Sequence, residues 1–293
     1  MTFIPQWEPQ AQFAGYFCAL QRGFYRERGL AVTILRGGPA HPPSKLLAEG
    51  TAQFGTLFLG KAIIDRATDV PLVNLAQMVR QGSLLLIAKK SRGIHTPKDL
   101  DGKRVSMWGD EFRIQPRLFF AKHGIGVVSV PQGFTVDLFL RDGVDAASAM
   151  RYNEYHAVLN SGWNPDELTV FDMADAGLDF PEDGLYCLES FWKERPEVAR
   201  AFVAASIQGW LWAFDNPKEA LDIVMSYVNA ANLPTNRVHQ QWMLDHLRTA
   251  MLPDGDRAKI GSLDEAAYKA VADALLKEGL IADVPAYGEF HVR

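Results

Sequence analysis

Cysteine is nearly absent from this sequence. Only Cys18 and Cys187 occur in 293 residues, which excludes a disulfide framework and a cysteine-rich metal site. One bridge between the two stays open, and buried, unreactive thiols are the expected state. Long apolar runs are missing as well. The best, Leu84-Leu85-Leu86-Ile87-Ala88, has strand length, far short of the ~20 residues of a membrane helix. Basic charge is not in excess: Lys and Arg number 30 against 35 Asp and Glu, a net charge of -5. No basic run interleaved with aromatics occurs, so nucleic acid is not an expected partner. Catalytic motifs are also scarce. There is no Gly-x-Ser-x-Gly elbow, no P-loop and no Gly-x-Gly-x-x-Gly. The closest histidines, His239 and His246, share a helix face but lie about two turns apart, too far for one zinc, so no metal is expected.

The chain enters Phe3-Ile4-Pro5-Gln6-Trp7 without the basic segment, apolar stretch and cleavage site of a secretory leader. Two locations follow as expectations. The protein is cytoplasmic if this is the full native chain, and periplasmic, or extracellular and membrane-anchored, if a leader was removed.

What is present reads as a globular α/β protein. Hydrophobic residues make up 48% and charged residues 22%. At ~150 residues per domain the length implies two domains, each with a core that needs no staples. Strands read at 3–7, 31–35, 53–58 and 72–76 alternate with helices at 11–28, 43–49 and 61–68, the pattern of a parallel sheet. After the strand at 83–88 the pattern restarts, with strands at 104–108, 127–130, 146–150 and 168–171 and helices at 114–123, 137–142 and 154–160. From Pro196 the chain is helical, at 198–214, 217–229, 235–248 and 263–278, with Thr235 as an N-cap. The middle unit therefore interrupts the first. The expected lobes are 1–88 with 189–293, and 89–188, joined by strand crossings near Leu86–Lys89 and Leu185–Leu188 that would form a hinge and an interlobe cleft.

Candidate binding residues come from strand ends. Trp7 and Phe58 close strands of the first unit, and Trp108 and Tyr152 follow strands of the second; such aromatics can sandwich a flat ring. Gly109, Glu111, Phe112 and Arg113 form the loop before the helix at Ile114, where free backbone N–H groups attract polar ligand atoms and Gly109 allows close approach. Capping of the helix is the plainer role for that loop. Gln6 and Gln12 flank Trp7 with amides that both donate and accept, which suits neutral heterocycles. Asn153 follows Tyr152 at a strand end, where an N-cap is its plainer role. Tyr186, at the second crossing, completes the candidate set.

Gln6-Trp7-Glu8-Pro9, Phe13-Ala14-Gly15-Tyr16-Phe17, Gly23-Phe24-Tyr25, Gly29-Leu30-Ala31-Val32 and Gly37-Gly38-Pro39 follow in order. Ala52-Gln53-Phe54-Gly55, Asp99-Leu100-Asp101-Gly102-Lys103, Gly143-Val144-Asp145-Ala146 and Arg195-Pro196-Glu197-Val198 come later. Together they resemble type II periplasmic binding proteins of the thiamine-pyrimidine precursor group over nearly the whole chain. The resemblance implies a two-lobed type II periplasmic binding fold and a receptor that hands a small heteroaromatic ligand to an ABC transporter permease. It implies ring stacking by Trp7, with Gln6 standing where receptors carry Asn, and a ligand-contacting loop at Gly109–Arg113. A monomer without cofactor is expected, and no residue is assigned a catalytic role. The group also contains a pyrimidine synthase that uses pyridoxal phosphate, its own histidine and iron. Counted without a gap from Gly55 to Pro71, that enzyme's cofactor lysine falls on Leu57 and its histidine on Lys61. Its cysteine-rich run falls near Asp183–Cys187, where one cysteine stands. Synthase chemistry is therefore not expected. A cytoplasmic enzyme of the same fold, pyrimidine-synthase-like or other, stays as the alternative, with Glu111, Glu154, Asp179 and Glu182 as acid–base candidates, as does a receptor for riboflavin or a sulfonate.

Overall fold

The computed structural model describes residues 1–68 and 70–292, and of Asp110 and Glu111 the backbone alone. The chain divides into two compact units, Met1–Arg80 with Pro181–Arg293, and Gln81–Phe180.

The first unit holds a five-stranded sheet in the order β2-β1-β3-β10-β4. Its strands are β1 (Thr2–Ile4), β2 (Thr33–Ile34), β3 (Phe54–Phe58), β4 (Leu72–Gln77) and β10 (Asp183–Leu188), and the helices α1 (Ala14–Gln21), α2 (Pro43–Ala48) and α3 (Leu59–Ala67) connect the early ones. The second unit holds β7-β6-β8-β5-β9: β5 (Leu84–Lys89), β6 (Arg104–Met107), β7 (Val128–Pro131), β8 (Ala146–Met150) and β9 (Leu168–Asp172), with α4 (Ile114–His123), α5 (Asp137–Leu140) and α6 (Glu154–Asn160) between them. The chain ends in α7 (Glu189–Glu194), α8 (Pro196–Asp215), α9 (Pro217–Ala230), α10 (Arg237–Met251), α11 (Glu265–Lys277) and α12 (Tyr287–Phe290).

Several readings differ from these elements. Both sheets are mixed rather than parallel. β10 runs antiparallel to β3 and β4, and β5 antiparallel to β8 and β9. Each starts within a few residues of a unit boundary, at the edge where its neighbours end, so it must run against them. The boundaries fall at Arg80/Gln81 and Phe180/Pro181, ahead of the expected crossings, and β5 and β10 each pair inside one unit. The helix expected over 11–28 is α only at 14–21, because the chain turns at Arg22–Phe24, where Phe24 N–H bonds back to Ala19 O at 2.9 Å. The first strand ends at Ile4, leaving Trp7 in a bend beyond it. The N-cap of α10 is Asn236, not Thr235: its side chain accepts the His239 N–H at 2.9 Å.

The first unit's core is aromatic. Phe202 of α8 stacks on Phe54 of β3 at 4.0 Å and 10° and on Tyr25 at 4.9 Å and 19°, and Phe3 lies 5.6 Å away. These rings tie the long helix to two adjacent strands. Cys18 and Cys187 are both free and buried, and burial pushes each thiol up to about 12, which keeps them protonated and inert. Among the described residues no helix is long and apolar enough to cross a membrane.

Candidate ligand-binding site

In the first unit the carboxyl ends of β1, β3 and β4 share an edge with the start of β10, where Asp183 stands opposite Phe58 and Gly184 opposite Gln77. Ligands of open α/β sheets bind beyond such an edge. Asp183 is its focus. Gln6 Nε2 donates to Oδ1 at 2.5 Å and Gln12 Nε2 donates to Oδ2 at 2.8 Å. Each amide is itself oriented. The Gln6 Oε1 accepts the Thr56 hydroxyl, while Gln6 N–H donates to Thr56 Oγ1 at 3.0 Å. Gln12 Oε1 accepts Gln10 Nε2 at 2.6 Å. Both amides are thus turned with their N–H groups toward the carboxyl. Burial pushes the Asp183 carboxyl up to about 7, against the pull of the Gln12 and Gln6 amides.

The loop that carries Gln6 to Gln12 is fixed at both ends. Ala11 N–H donates to Gln240 Oε1 at 2.6 Å and Gln12 N–H reaches Met243 Sδ at 3.2 Å, both on α10. On the other side the chain at Gly37 presses against it. A Cβ there would lie 2.1 Å from Pro5 O and 2.3 Å from Trp7 O, so glycine is required for the approach. Trp7 is half-buried.

The second unit has its own edge of the same kind, formed by the ends of β6, β7 and β8 and the start of β5. Trp108 follows β6. Its Nε1 donates to Gly133 O at 3.1 Å, and its ring meets Phe112 edge-on, centroids 5.8 Å apart. Arg113 Nε donates to Trp108 O at 3.2 Å, leaving the arginine exposed. Under them Ser106 Oγ donates to Gln132 Oε1 at 2.9 Å, and Gln132 Nε2 to Ser148 O at 2.7 Å. Where β8 passes into α6, Glu154 accepts Met150 N–H at 2.9 Å and Asn153 Nδ2 at 2.8 Å. Burial pushes the Glu154 carboxyl up to about 7, with those two bonds pulling down. Asn153 makes no side-chain cap, because its amide is committed to Glu154. Arg151 pairs with Asp172 at 2.5 Å on the same edge.

The structure brings Gln6, Gln12 and Phe58 together around Asp183, with Trp7 adjoining Gln6, and separately gathers Trp108, Gly109, Phe112 and Arg113. Tyr152 and Asn153 follow the neighbouring strand, Tyr152 almost wholly buried. The side chain of Glu111 lies outside the described residues. Tyr186 is placed otherwise than expected. It is fully buried, 6.1 Å from the Phe290 ring, because the register of β10 turns its side chain into the core. Of the other acid candidates, Asp179 accepts Gly82 N–H at 2.6 Å and is raised by burial, and Glu182 is buried. Asp183, Thr56, Ser106 and Gln132 escape a reading of the sequence. The one local signal is an acid opening the otherwise uncharged strand Asp183–Leu188. Among the described residues no group of three His, Cys, Asp or Glu could hold a metal.

Residues 10–220 match the family described as NMT1/THI5 like. The chain belongs to that family. Its relatives include a formylaminopyrimidine-binding protein of Halalkalibacterium halodurans, 26% identical over 78% of this chain and 70% of that one. Another is the riboflavin-binding protein RibY of Chloroflexus aurantiacus, 23% identical over 84% of this chain and 72% of that one. Among solved structures, the periplasmic aliphatic sulphonate binding protein SsuA of Escherichia coli superposes with a TM-score of 0.74 at 12% identity. The match covers all of this chain and 92% of that one. The fold of this family member is therefore that of the periplasmic binding proteins, as the motifs imply. The positions aligned above with the synthase's lysine and histidine are a buried Leu57 in β3 and a Lys61 paired to Asp65.

Proposed function

We propose that this protein is a solute receptor for a small, flat heteroaromatic ligand of the pyrimidine class, and that it delivers the ligand to an ABC importer outside the cytoplasmic membrane. The observation that carries the reading is Asp183, a buried carboxyl held by two oriented glutamine amides at the edge of the sheet where β1, β3 and β4 end, with Trp7 next to Gln6 in the chain. Near neutral pH such a carboxyl exchanges one proton readily. It donates to a ring nitrogen when protonated and accepts from an amino group when ionised. An aminopyrimidine presents both groups on one edge, and its ring suits an indole face. A sulfonate presents only acceptors and negative charge, which a carboxylate repels. The formylaminopyrimidine-binding and riboflavin-binding relatives support the ligand class.

The test is a fluorescence titration of tryptophan with formylaminopyrimidine, hydroxymethylpyrimidine, riboflavin, pyridoxal phosphate and taurine. Saturable binding of a pyrimidine, lost in Trp7→Ala, is the expected result. Binding of taurine alone would overturn the ligand class. A second reading, an enzyme, draws on Asp183 and Glu154, since general acids and bases work best when they titrate near neutrality. Product appearing from a bound pyrimidine, and lost in Asp183→Asn, would select it.

A further inference from the structure

We propose that His291, near the end of the chain, is a positioning residue for the Asp183 side chain and acts through Asn74 and Gln77. The proposal rests on the reading of Asp183 as a ligand-recognition group. The segment after α12 lies along β4, with His291 beside Asn74 in a parallel bridge and Val292 N–H donating to Asn74 O at 3.1 Å. His291 Nδ1 lies 2.9 Å from Asn74 Oδ1. Asn74 Nδ2 donates to Gln77 Oε1 at 3.2 Å. Gln77 Nε2 donates to the carbonyls of Glu182 at 2.9 Å and Val79 at 3.1 Å. The next residue in β10 is Asp183, whose own carbonyl accepts Met78 N–H at 3.0 Å and Val79 N–H at 2.9 Å. The main chain on both sides of Asp183 is therefore pinned from the end of β4.

The direction of this relay is dictated by its last step. Gln77 faces two carbonyls and must turn its NH2 toward them, so its oxygen faces Asn74. Asn74 must then present its own NH2 to Gln77, which leaves Oδ1 in need of a donor. The imidazole N–H at Nδ1 supplies it and fixes the tautomer. Asn74 and Gln77 are fully buried. His291 is nearly so, at the wall of a mostly apolar pocket shared with Leu75, Ile207 and Ile260, so a water taking the place of the lost donor finds few other partners there. Close approach to β10 is required too. A Cβ on Gly184 would lie 2.7 Å from Asn74 Nδ2 and 2.5 Å from Tyr186 Oη. Without the His291 donor, Asn74 turns, Gln77 loses its orientation, and the Glu182–Asp183 peptide loosens. The carboxyl then gains water and stronger access to donors.

The titratable neighbours of Asp183 are Tyr16 and Tyr186, both raised by burial, with Glu182 preceding it in the chain. The tyrosines keep their protons across the range in which the carboxyl titrates. The experiment is carboxyl-carbon NMR of the ligand-free full chain through a pH series. His291→Ala is expected to lower the Asp183 midpoint by about one unit, a tenfold change in proton affinity. His291→Gln, which restores an N–H donor, is expected to recover more than half of that shift. Tyr287→Phe removes the 2.7 Å bond to Leu263 O that anchors the same segment. It is expected to lower the thermal midpoint and leave Asp183 unmoved. An unmoved midpoint in His291→Ala, or an equal shift in Tyr287→Phe, overturns the relay. Nitrogen NMR of the wild type gives a check that needs no variant, since an unprotonated His291 Nδ1 also overturns it. Titrating the same samples with formylaminopyrimidine separates the two readings. Loss of pyrimidine binding as a property would remove the proposed function and leave the relay measured on the apoprotein.

Discussion

Gln6 and Asp183 are 177 residues apart in sequence, and the amide of one donates to the carboxyl of the other at 2.5 Å. The segment Gln81–Phe180 folds as its own unit between them, so this bond and its partner from Gln12 close the first unit's sheet edge across the interruption. They also stabilise the charged form of a group that burial opposes, and burial prevails.

That balance sets a pH dependence. The Asp183 carboxyl is raised from its ordinary value to about 7, so between about pH 4 and 7 the folded chain holds a proton that the unfolded chain has released. Its contribution to stability is complete below pH 4 and is lost as pH rises through 7, about 1.4 kcal/mol for each pKa unit of the shift. Denaturant titrations of the ligand-free protein at pH 4.5 and 8 are expected to show the larger loss on alkalinisation in the wild type. Asp183→Asn is expected to flatten the difference. An unchanged slope in Asp183→Asn would assign the dependence to another group.

Binding should track the reach of the Gln6 amide. That amide spans Thr56 on one side and Asp183 on the other. Gln6→Asn shortens the arm by one methylene, so it keeps one of these partners and loses the other. The expected cost is ~1–2 kcal/mol, or roughly 5- to 30-fold in pyrimidine affinity. Gln6→Ala should cost no less. Calorimetric titration measures both, and tighter binding by Gln6→Asn would refute the assignment.

Much of this arrangement is legible in the sequence because it depends on local periodicity. Phe58 closes β3, and Trp108 and Tyr152 follow β6 and β8, as read. The elements α4, β8 and α6 have the bounds that their patterns imply, whereas Trp7 lies in a bend beyond the strand that it is expected to close. Antiparallel β10 and β5 are not legible as such. Strand direction depends on where the chain re-enters a sheet, and alternation of side chains is the same in both directions. Asp183 is missed for a related reason. A lone acid opening an apolar strand looks like a solvated end, and the two glutamines that bury it lie at the far end of the chain. Tyr186 shows the converse, since an aromatic on a strand beside the edge points into the core by register alone.

The aromatic stack at Phe202 should dominate the stability of the first unit. The ring is fully buried between Phe54 of β3 and Tyr25, with Phe3 of β1 5.6 Å away, and truncation removes its contacts with both strands at once. Phe202→Ala is expected to cost ~3–5 kcal/mol and Phe202→Leu distinctly less. In calorimetry the loss should fall on the transition that unfolds residues 1–80 with 181–293. A loss below about 1 kcal/mol would mean that the neighbouring rings close the space.

Glu154 offers the corresponding test in the second unit. Its carboxyl closes the turn from β8 into α6 by accepting Met150 N–H and the Asn153 amide, and burial still raises it to about 7. Because the folded value lies above the unfolded one, its stabilising contribution is also present at low pH and lost as pH rises through 7. Glu154→Gln keeps an oxygen for Met150 N–H but turns an NH2 toward the Asn153 amide, which then must rotate away. The variant is expected to lose the pH dependence of amide-exchange protection at Met150 and to be less protected than the wild type at pH 5. Its affinity for a pyrimidine should change with pH less than that of the wild type if Glu154 meets the ligand, and in parallel with it if the carboxyl only closes the turn. Protection at Met150 that still falls with pH in Glu154→Gln would show that the turn is held by something else.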